Sequence, residues 1–181
     1  MEHNKELLNL ILDRRSCRKF LPQAPDRPTL AAILEAGRYA PSSMNQQANR
    51  FYVLTDRDLL QNISRMVSAK LERFAGKDCT YGAPVLILVT NRRSNNCAFQ
   101  DAACAMENMV LAACAMGVGS CWINQPFYLD GDPDFRALLS PLGLAEEEQV
   151  CCSLALGLPD GPLFPGRKEH AGNQVIWAEP V

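Results

Sequence analysis

Three short polar stretches carry residue types that can hold an anionic ligand: RRSCR at 14–18, PSSMNQ at 41–46 and PGRK at 165–168. The first lies within DRRSCRKF, where Arg14, Arg15, Arg18 and Lys19 put four cations into six consecutive positions of a chain with a formal net charge of only −2. Arginine forks match phosphate oxygens bidentately, and serine hydroxyls add neutral donors. Asparagine side chains present both a donor and an acceptor to the edge of a planar ring. Each stretch alone also suits an ordinary surface turn. A cation near a helix C-terminus is favourable with no ligand at all.

Other chemistries are poorly supplied. The chain has eight cysteines, Cys17, Cys79, Cys97, Cys104, Cys114, Cys121, Cys151 and Cys152. The opening MEHNKELLNL lacks an apolar signal segment, so reduced thiols in the cytoplasm are expected rather than a secreted disulfide scaffold. No pair has CxxC spacing and there are only two histidines, His3 and His170, so no metal centre is expected. Cys104 and Cys114 read as small hydrophobes in an Ala-rich stretch. Asp101 and Glu107, set among apolar neighbours, read as structural polar partners rather than acids or bases.

The elements that must position these loops follow from periodicity. With 181 residues, 48% of them hydrophobic and 21% charged, the chain has the size and composition of one globular domain spanning 1–181. The near-balanced charge argues against a nucleic-acid partner. Asn4 can cap a first helix with Leu7, Leu8, Ile11 and Leu12 on one face, which puts Arg14 and Arg15 in its last turn. Asp26 and Pro28 open a second helix with the stripe Leu30, Ile33, Leu34 and Gly37, ending before Pro41. FYVLT reads as a strand, and a third helix is expected from about 56 to 74. PVLILVT at 84–90 is a continuous apolar run, hence a strand covered on both faces. The stretch 99–116 is a helix crowded with Ala, Cys and Met, and its polar residues and short length exclude a membrane span. SCWI and VCCSLALG read as strands, with a short helix capped by Asp132 and Pro133 between them. The end is loop-like, with VIW as an arm or edge strand. Helices alternating with strands around a mostly buried sheet give an α+β layered architecture.

In this order the motifs resemble the FMN-dependent nitroreductase family: RRSCRKF, APSSMNQQANRFYVL, GAPVLILV, DAACAMENMVLAACAMGVGSCWI and LALGLPDGPLFPGRK. The resemblance implies a three-layer fold with a central, mostly antiparallel sheet flanked by helices. It also implies an intertwined homodimer with FMN at the subunit interface. By motif position, Arg14, Arg15, Ser16 and Arg18 look like the first FMN-contacting loop, with Arg18 toward the N1 and C2 carbonyl edge. Pro41, Ser42, Ser43 and Asn45 would come from the partner subunit. Trp122, Ile123 and Asn124 would line the other face, Asn124 holding flavin N5 through its backbone N–H, and Arg167 with Lys168 would complete the phosphate clamp. Arg15 and Lys19 are equally consistent with solvated positions, and Trp122 with a core position.

The activity implied is two-electron ping-pong transfer from NADH or NADPH through flavin N5 to a nitroaromatic, quinone or related small acceptor. The flavin carries the chemistry, so no protein acid or base is required. The alternative is a flavin-binding sink, sensor or partner-reduced carrier, motivated by Gln125 and Pro126 where many relatives have Gly or an acidic residue. The segments 91–96 and 127–131 leave little room for a helical substrate lid, which counts against lid-dependent chemistry such as iodotyrosine dehalogenation.

Overall fold

The computed structural model describes residues 5–163 and 172–178. Its elements are α1 (Lys5–Asp13), α2 (Arg27–Arg38), β1 (Arg50–Leu54), α3 (Arg57–Lys70), β2 (Val85–Arg92), α4 (Ala98–Ala115), β3 (Gly119–Ile123), α5 (Gln125–Tyr128), α6 (Pro133–Leu139) and β4 (Glu148–Gly157). The strands form one antiparallel sheet in the order β1-β2-β4-β3.

The apolar run of β2 explains the layering, because successive side chains of a strand point to opposite faces. Val85, Ile87 and Val89 join Leu30 and Ile33 of α2 and Ala102, Met106, Met109 and Ala113 of α4 in one core. Leu86 and Leu88 join Leu60, Ile63 and Val67 of α3 and Phe135 and Leu139 of α6 in the other. Helices thus cover both faces of the sheet, in the three-layer α+β arrangement expected. Asp26 caps α2 by accepting from Thr29 N–H at 2.9 Å, and Asp132 caps α6 by accepting from Asp134 and Phe135 N–H. A Cβ on Gly37 would stand 2.7 Å from Met109 Cγ, so glycine is what lets α2 lie close on α4.

Several boundaries differ from the sequence reading. α1 ends at Asp13, so Arg14 and Arg15 follow the helix rather than occupy its last turn. Its apolar face is left largely open to solvent among the described residues: Leu8, Ile11 and Leu12 are 42–56% exposed. The expected cap Asn4 lies outside the described residues. α3 stops at Lys70, where Leu71 turns extended, and a separate 3₁₀ turn covers Glu72–Phe74. Leu71 and Phe74 still pack on the α3 core, which is why they keep the helical spacing. The short α5 occupies a stretch for which the sequence reading gives no element. Val175, Ile176 and Trp177 are exposed and in no strand.

Candidate functional site

The RRSCR segment is placed by the sheet. Cys17 N–H donates to the Ser120 carbonyl at 2.8 Å. Phe20 bridges Pro159, Leu21 N–H donates to Leu158 C=O at 2.9 Å, and Asp160 N–H donates to Lys19 C=O at 3.0 Å. Two glycines paired across β3 and β4, Gly119 and Gly157, make room for it. A Cβ on Gly119 would come within 2.7 Å of Cys17 Sγ, and one on Gly157 within 2.9 Å of Phe20 Cδ1. The chain leaving β4 therefore runs beside the cationic segment. Arg167 and Lys168, further along it, lie outside the described residues.

The four cations of the segment differ in use. Arg15 Nη1 donates to the carbonyls of Leu12 at 2.9 Å and Arg14 at 2.7 Å, satisfying acceptors left over at the end of α1. The helix-terminus role anticipated for such a cation thus falls to Arg15. Arg14 is 3.9 Å from Glu107, whose side chain is half exposed, so the pair is weak. The Arg18 guanidinium lies over the ring of Tyr81, 5.8 Å from its centroid. Ser16 and Lys19 are exposed.

The PSSMNQ loop is held by buried polar side chains. Ser43 N–H donates to Asp101 Oδ1 at 2.8 Å, and Ser42 Oγ accepts from Gln47 N–H at 3.0 Å. Pro41, Ser42 and Asn45 line a recess of about 620 Å³ with Gln47, Asn49 and Phe51. Asp101, read from sequence as a structural polar partner, is that partner. Asn49, Asn91 and Asn95, which join it, were not singled out by sequence. Their only signal there is polar amides at the end of an apolar strand and just before a helix.

At the end of β3, Trp122 is 39% exposed, which removes the core reading, and its indole N–H donates to Asn124 Oδ1 at 2.6 Å. Ile123 is buried, and its carbonyl accepts from Ser153 Oγ at 2.6 Å. Gln125 Oε1 is buried, and the described residues supply it no donor. Phe127 of α5 packs edge-on against Phe99 with centroids 5.2 Å apart.

The buried thiols are chemically quiet. Burial pushes Cys79 and Cys151 up to about 12 and raises Cys152, Cys114 and Cys121 as well. At Cys121 the positive charge of Arg18 and Arg14 opposes the rise. No group of three or more potential metal ligands occurs among the described residues. A larger cleft, about 900 Å³, lies on the α3 side and is bordered by Phe20, Leu60, Ser64, Arg65, Asp78 and Thr80. It contains none of the residues singled out for a ligand. Its one carboxylate, Asp78, is used internally, accepting from Ser64 Oγ, Thr80 N–H, Thr80 Oγ1 and Gly82 N–H at 2.7–2.9 Å.

Comparison with known proteins gives the family and the fold. The nitroreductase family model matches residues 11–158, and the chain belongs to the nitroreductase family. A crystal structure of a nitroreductase with bound FMN from Bacteroides fragilis superposes with a TM-score of 0.85 at 34% identity, over 96% of this chain and 99% of that one. An iodotyrosine deiodinase of Thermotoga neapolitana is 26% identical over 190 residues, covering 95% of this chain and 96% of its own. A protein of Archaeoglobus fulgidus, provisionally named NADH dehydrogenase/NAD(P)H nitroreductase, is 27% identical over 159 residues, 86% of each chain.

Proposed function

We propose that this chain is an FMN-dependent oxidoreductase, a single nitroreductase-like domain over 1–181. It takes a hydride from NADH or NADPH and passes two electrons to a small oxidised acceptor, a nitroaromatic or quinone, by ping-pong. The observation that carries the reading is the match to the family across residues 11–158, joined to a 34% identical relative that holds FMN.

The residues present fit such a cofactor. An anionic, planar group with ring N–H and carbonyl edges needs cations, hydroxyl donors and an acceptor. Arg14, Ser16 and the exposed Arg18 offer the first two from one loop, and Ser42, Ser43 and Asn45 offer more from the other. Gln125 Oε1 is a buried acceptor awaiting a donor. In the proposal Arg14, Arg15, Ser16 and Arg18 hold the cofactor with Arg167 and Lys168. Trp122, Ile123 and Asn124 line it, and Pro41, Ser42, Ser43 and Asn45 close over it from the second subunit of a homodimer. The solvent exposure of the apolar side chains Leu8, Ile11 and Leu12 on α1 supports that dimer. Eight free cysteines support a cytoplasmic location.

FMN when bound supplies hydride acceptance and donation; the chain supplies binding, orientation and electrostatics. Arg18, whose guanidinium lies over the Tyr81 ring, is the cation that would stabilise negative charge developing on the reduced ring. The deiodinase relative aligns over nearly its whole length, so the size of this chain does not separate dehalogenation from nitro or quinone reduction.

The test is a visible spectrum and mass of the heat-released ligand, followed by stopped-flow reduction with NADH, NADPH and dithionite. Rapid bleaching by a reduced nicotinamide and reoxidation by a nitroaromatic or quinone is expected. Bleaching by dithionite alone would favour a flavin-binding carrier or sensor, and a colourless protein that takes up no FMN would end the proposal.

A further inference from the structure

The loop 41–47 is bent in a way its side chains resist. Met44, Asn45 and Gln47 have φ of 52°, 53° and 49°. This left-handed region is unfavourable for residues with a Cβ and persists where the surroundings over-determine it. Within the loop, Asn45 and Gln46 N–H donate to the carbonyls of Ser42 and Ser43, and Gln47 Nε2 donates to Asn45 Oδ1. The tie to the body of the protein runs from Ser43 N–H to Asp101, a residue of the first turn of α4 that is only 4% exposed.

Asp101 belongs to a closed circuit. Its Oδ2 accepts from Asn95 Nδ2 at 3.0 Å, and the same Nδ2 donates to Asn91 Oδ1 at 3.2 Å. Asn91 Nδ2 donates to Asn49 Oδ1 at 2.8 Å, and Asn49 Nδ2 donates to the Asp101 carbonyl at 3.0 Å. The amides cannot turn over freely. Asn91 Oδ1 also accepts from Arg92 N–H at 2.7 Å, and Asn95 Oδ1 from Cys97 N–H at 2.9 Å. With those orientations set by backbone donors, residue 101 faces donors on both sides, Ser43 N–H and Asn95 Nδ2. Both of its terminal atoms must accept, and aspartate, with two acceptor oxygens, matches that demand where an amide would bring a donor.

We propose that Asp101 is the positioning residue of the cofactor site, fixing the strained loop before any ligand arrives so that Ser42, Ser43 and Asn45 are pre-set. The proposal rests on the FMN reading for its consequence but not for its mechanism. Pre-setting matters because a loop that must be ordered on binding subtracts from affinity. Asp101 touches neither cofactor nor acceptor in this scheme and acts through Ser43.

The experiment is Asp101→Asn, nearly equal in shape but carrying a donor into a place surrounded by donors. FMN titration of the apoprotein should show affinity weakened at least about tenfold, equivalent to about 1.4 kcal/mol. Hydrogen exchange of 41–47 in the apoprotein should quicken by a similar factor, because the loop opens locally. The midpoint potential of bound FMN should be unchanged. If Asp101→Asn does not fold, Asn95→Ala keeps the carboxylate but frees its orientation, and is expected to give the same changes at smaller size. A variant with lowered Tm but parental FMN affinity and parental exchange at 41–47 would reduce Asp101 to a general structural role and overturn the proposal. Failure of the parent protein to bind FMN would strike the cofactor reading instead, while exchange at 41–47 still decides the role of Asp101.

Discussion

Two loops carry the candidate site residues, one tied to helix α4 and one laid on the sheet, and they are held by opposite means. The 41–47 loop is strained and is tied down by side chains: a buried carboxylate and three asparagines whose donors and acceptors satisfy one another. The 14–18 segment is held by a backbone hydrogen bond to Ser120, by those that follow it at Lys19 and Leu21, and by the bare floor that Gly119 and Gly157 provide. Spending side chains on position leaves few for a ligand, whereas holding the backbone leaves the side chains available. Arg18 and Ser16 are exposed, whereas Asp101 and Asn91 are buried. Charge that must meet a ligand is therefore carried where the main chain does the anchoring.

The largest way to break this contrast is to fill the floor. Gly119→Val should push Cys17 off β3, costing about 1–3 kcal/mol in denaturant unfolding, as overpacking typically does. FMN retention should be lost with it. Adding Cys17→Gly removes both close contacts, at 2.7 and 2.9 Å, and should recover part of the loss. Recovery of neither quantity would show that the glycines do not place the segment.

Next in size are the cations themselves. Arg167→Ala should loosen FMN by about ten- to a hundredfold, the effect of one charge-assisted contact of roughly 1.5–3 kcal/mol, with little change in midpoint potential. Arg18→Ala should do the reverse, lowering the potential by on the order of 30 mV for each 1.4 kcal/mol by which the reduced state is favoured. Titration with FMN and redox potentiometry on both variants separate the two. Equal potentials in Arg18→Ala and the parent would place that cation elsewhere.

The smallest effect concerns the turn beneath Arg18. Tyr81 has φ 57°, and the residues on either side, Thr80 and Gly82, both donate to Asp78. Burial raises the Asp78 carboxyl, but hydrogen bonds from Ser64, Thr80 and Gly82 outweigh it and hold the group below its usual 3.8. A carboxylate depressed in the folded state adds stability that is full above its unfolded pKa and is lost as pH falls through the folded one. Asp78→Asn should thus lower Tm by roughly 2–4 °C near neutrality, the shift for about 1 kcal/mol in a chain of this size. The gap to the parent should close below about pH 4. A gap independent of pH would remove Asp78 from the argument.

Much of this was legible in the residue order. The periodicities of α2, α4 and β2 locate both cores, and the caps Asp26 and Asp132 act as their positions suggest. The loops were legible as motifs and their means of support were not. Nothing local tells that Asn49 meets Asn91 and Asp101 across forty or more residues, because that meeting depends on strand order. The glycine pair was hidden similarly, since Gly119 and Gly157 become neighbours through the β3–β4 register alone. The end of α3 was misplaced because Leu71 and Phe74 keep helical spacing while serving the core from a turn.

The distribution of sulphur has a practical corollary. Of eight free cysteines, Cys79, Cys114, Cys121, Cys151 and Cys152 are buried, while Cys17, Cys97 and Cys104 reach solvent to some degree. In disulfide exchange the protein thiolate attacks the reagent and expels the dye thiolate, and the five buried groups are both shielded and raised in pKa. A disulfide-exchange dye at neutral pH should count three equivalents in native protein and eight in denaturant. The polypeptide thus carries a stoichiometric gauge of its own intactness, readable in a cuvette without cofactor, substrate or label.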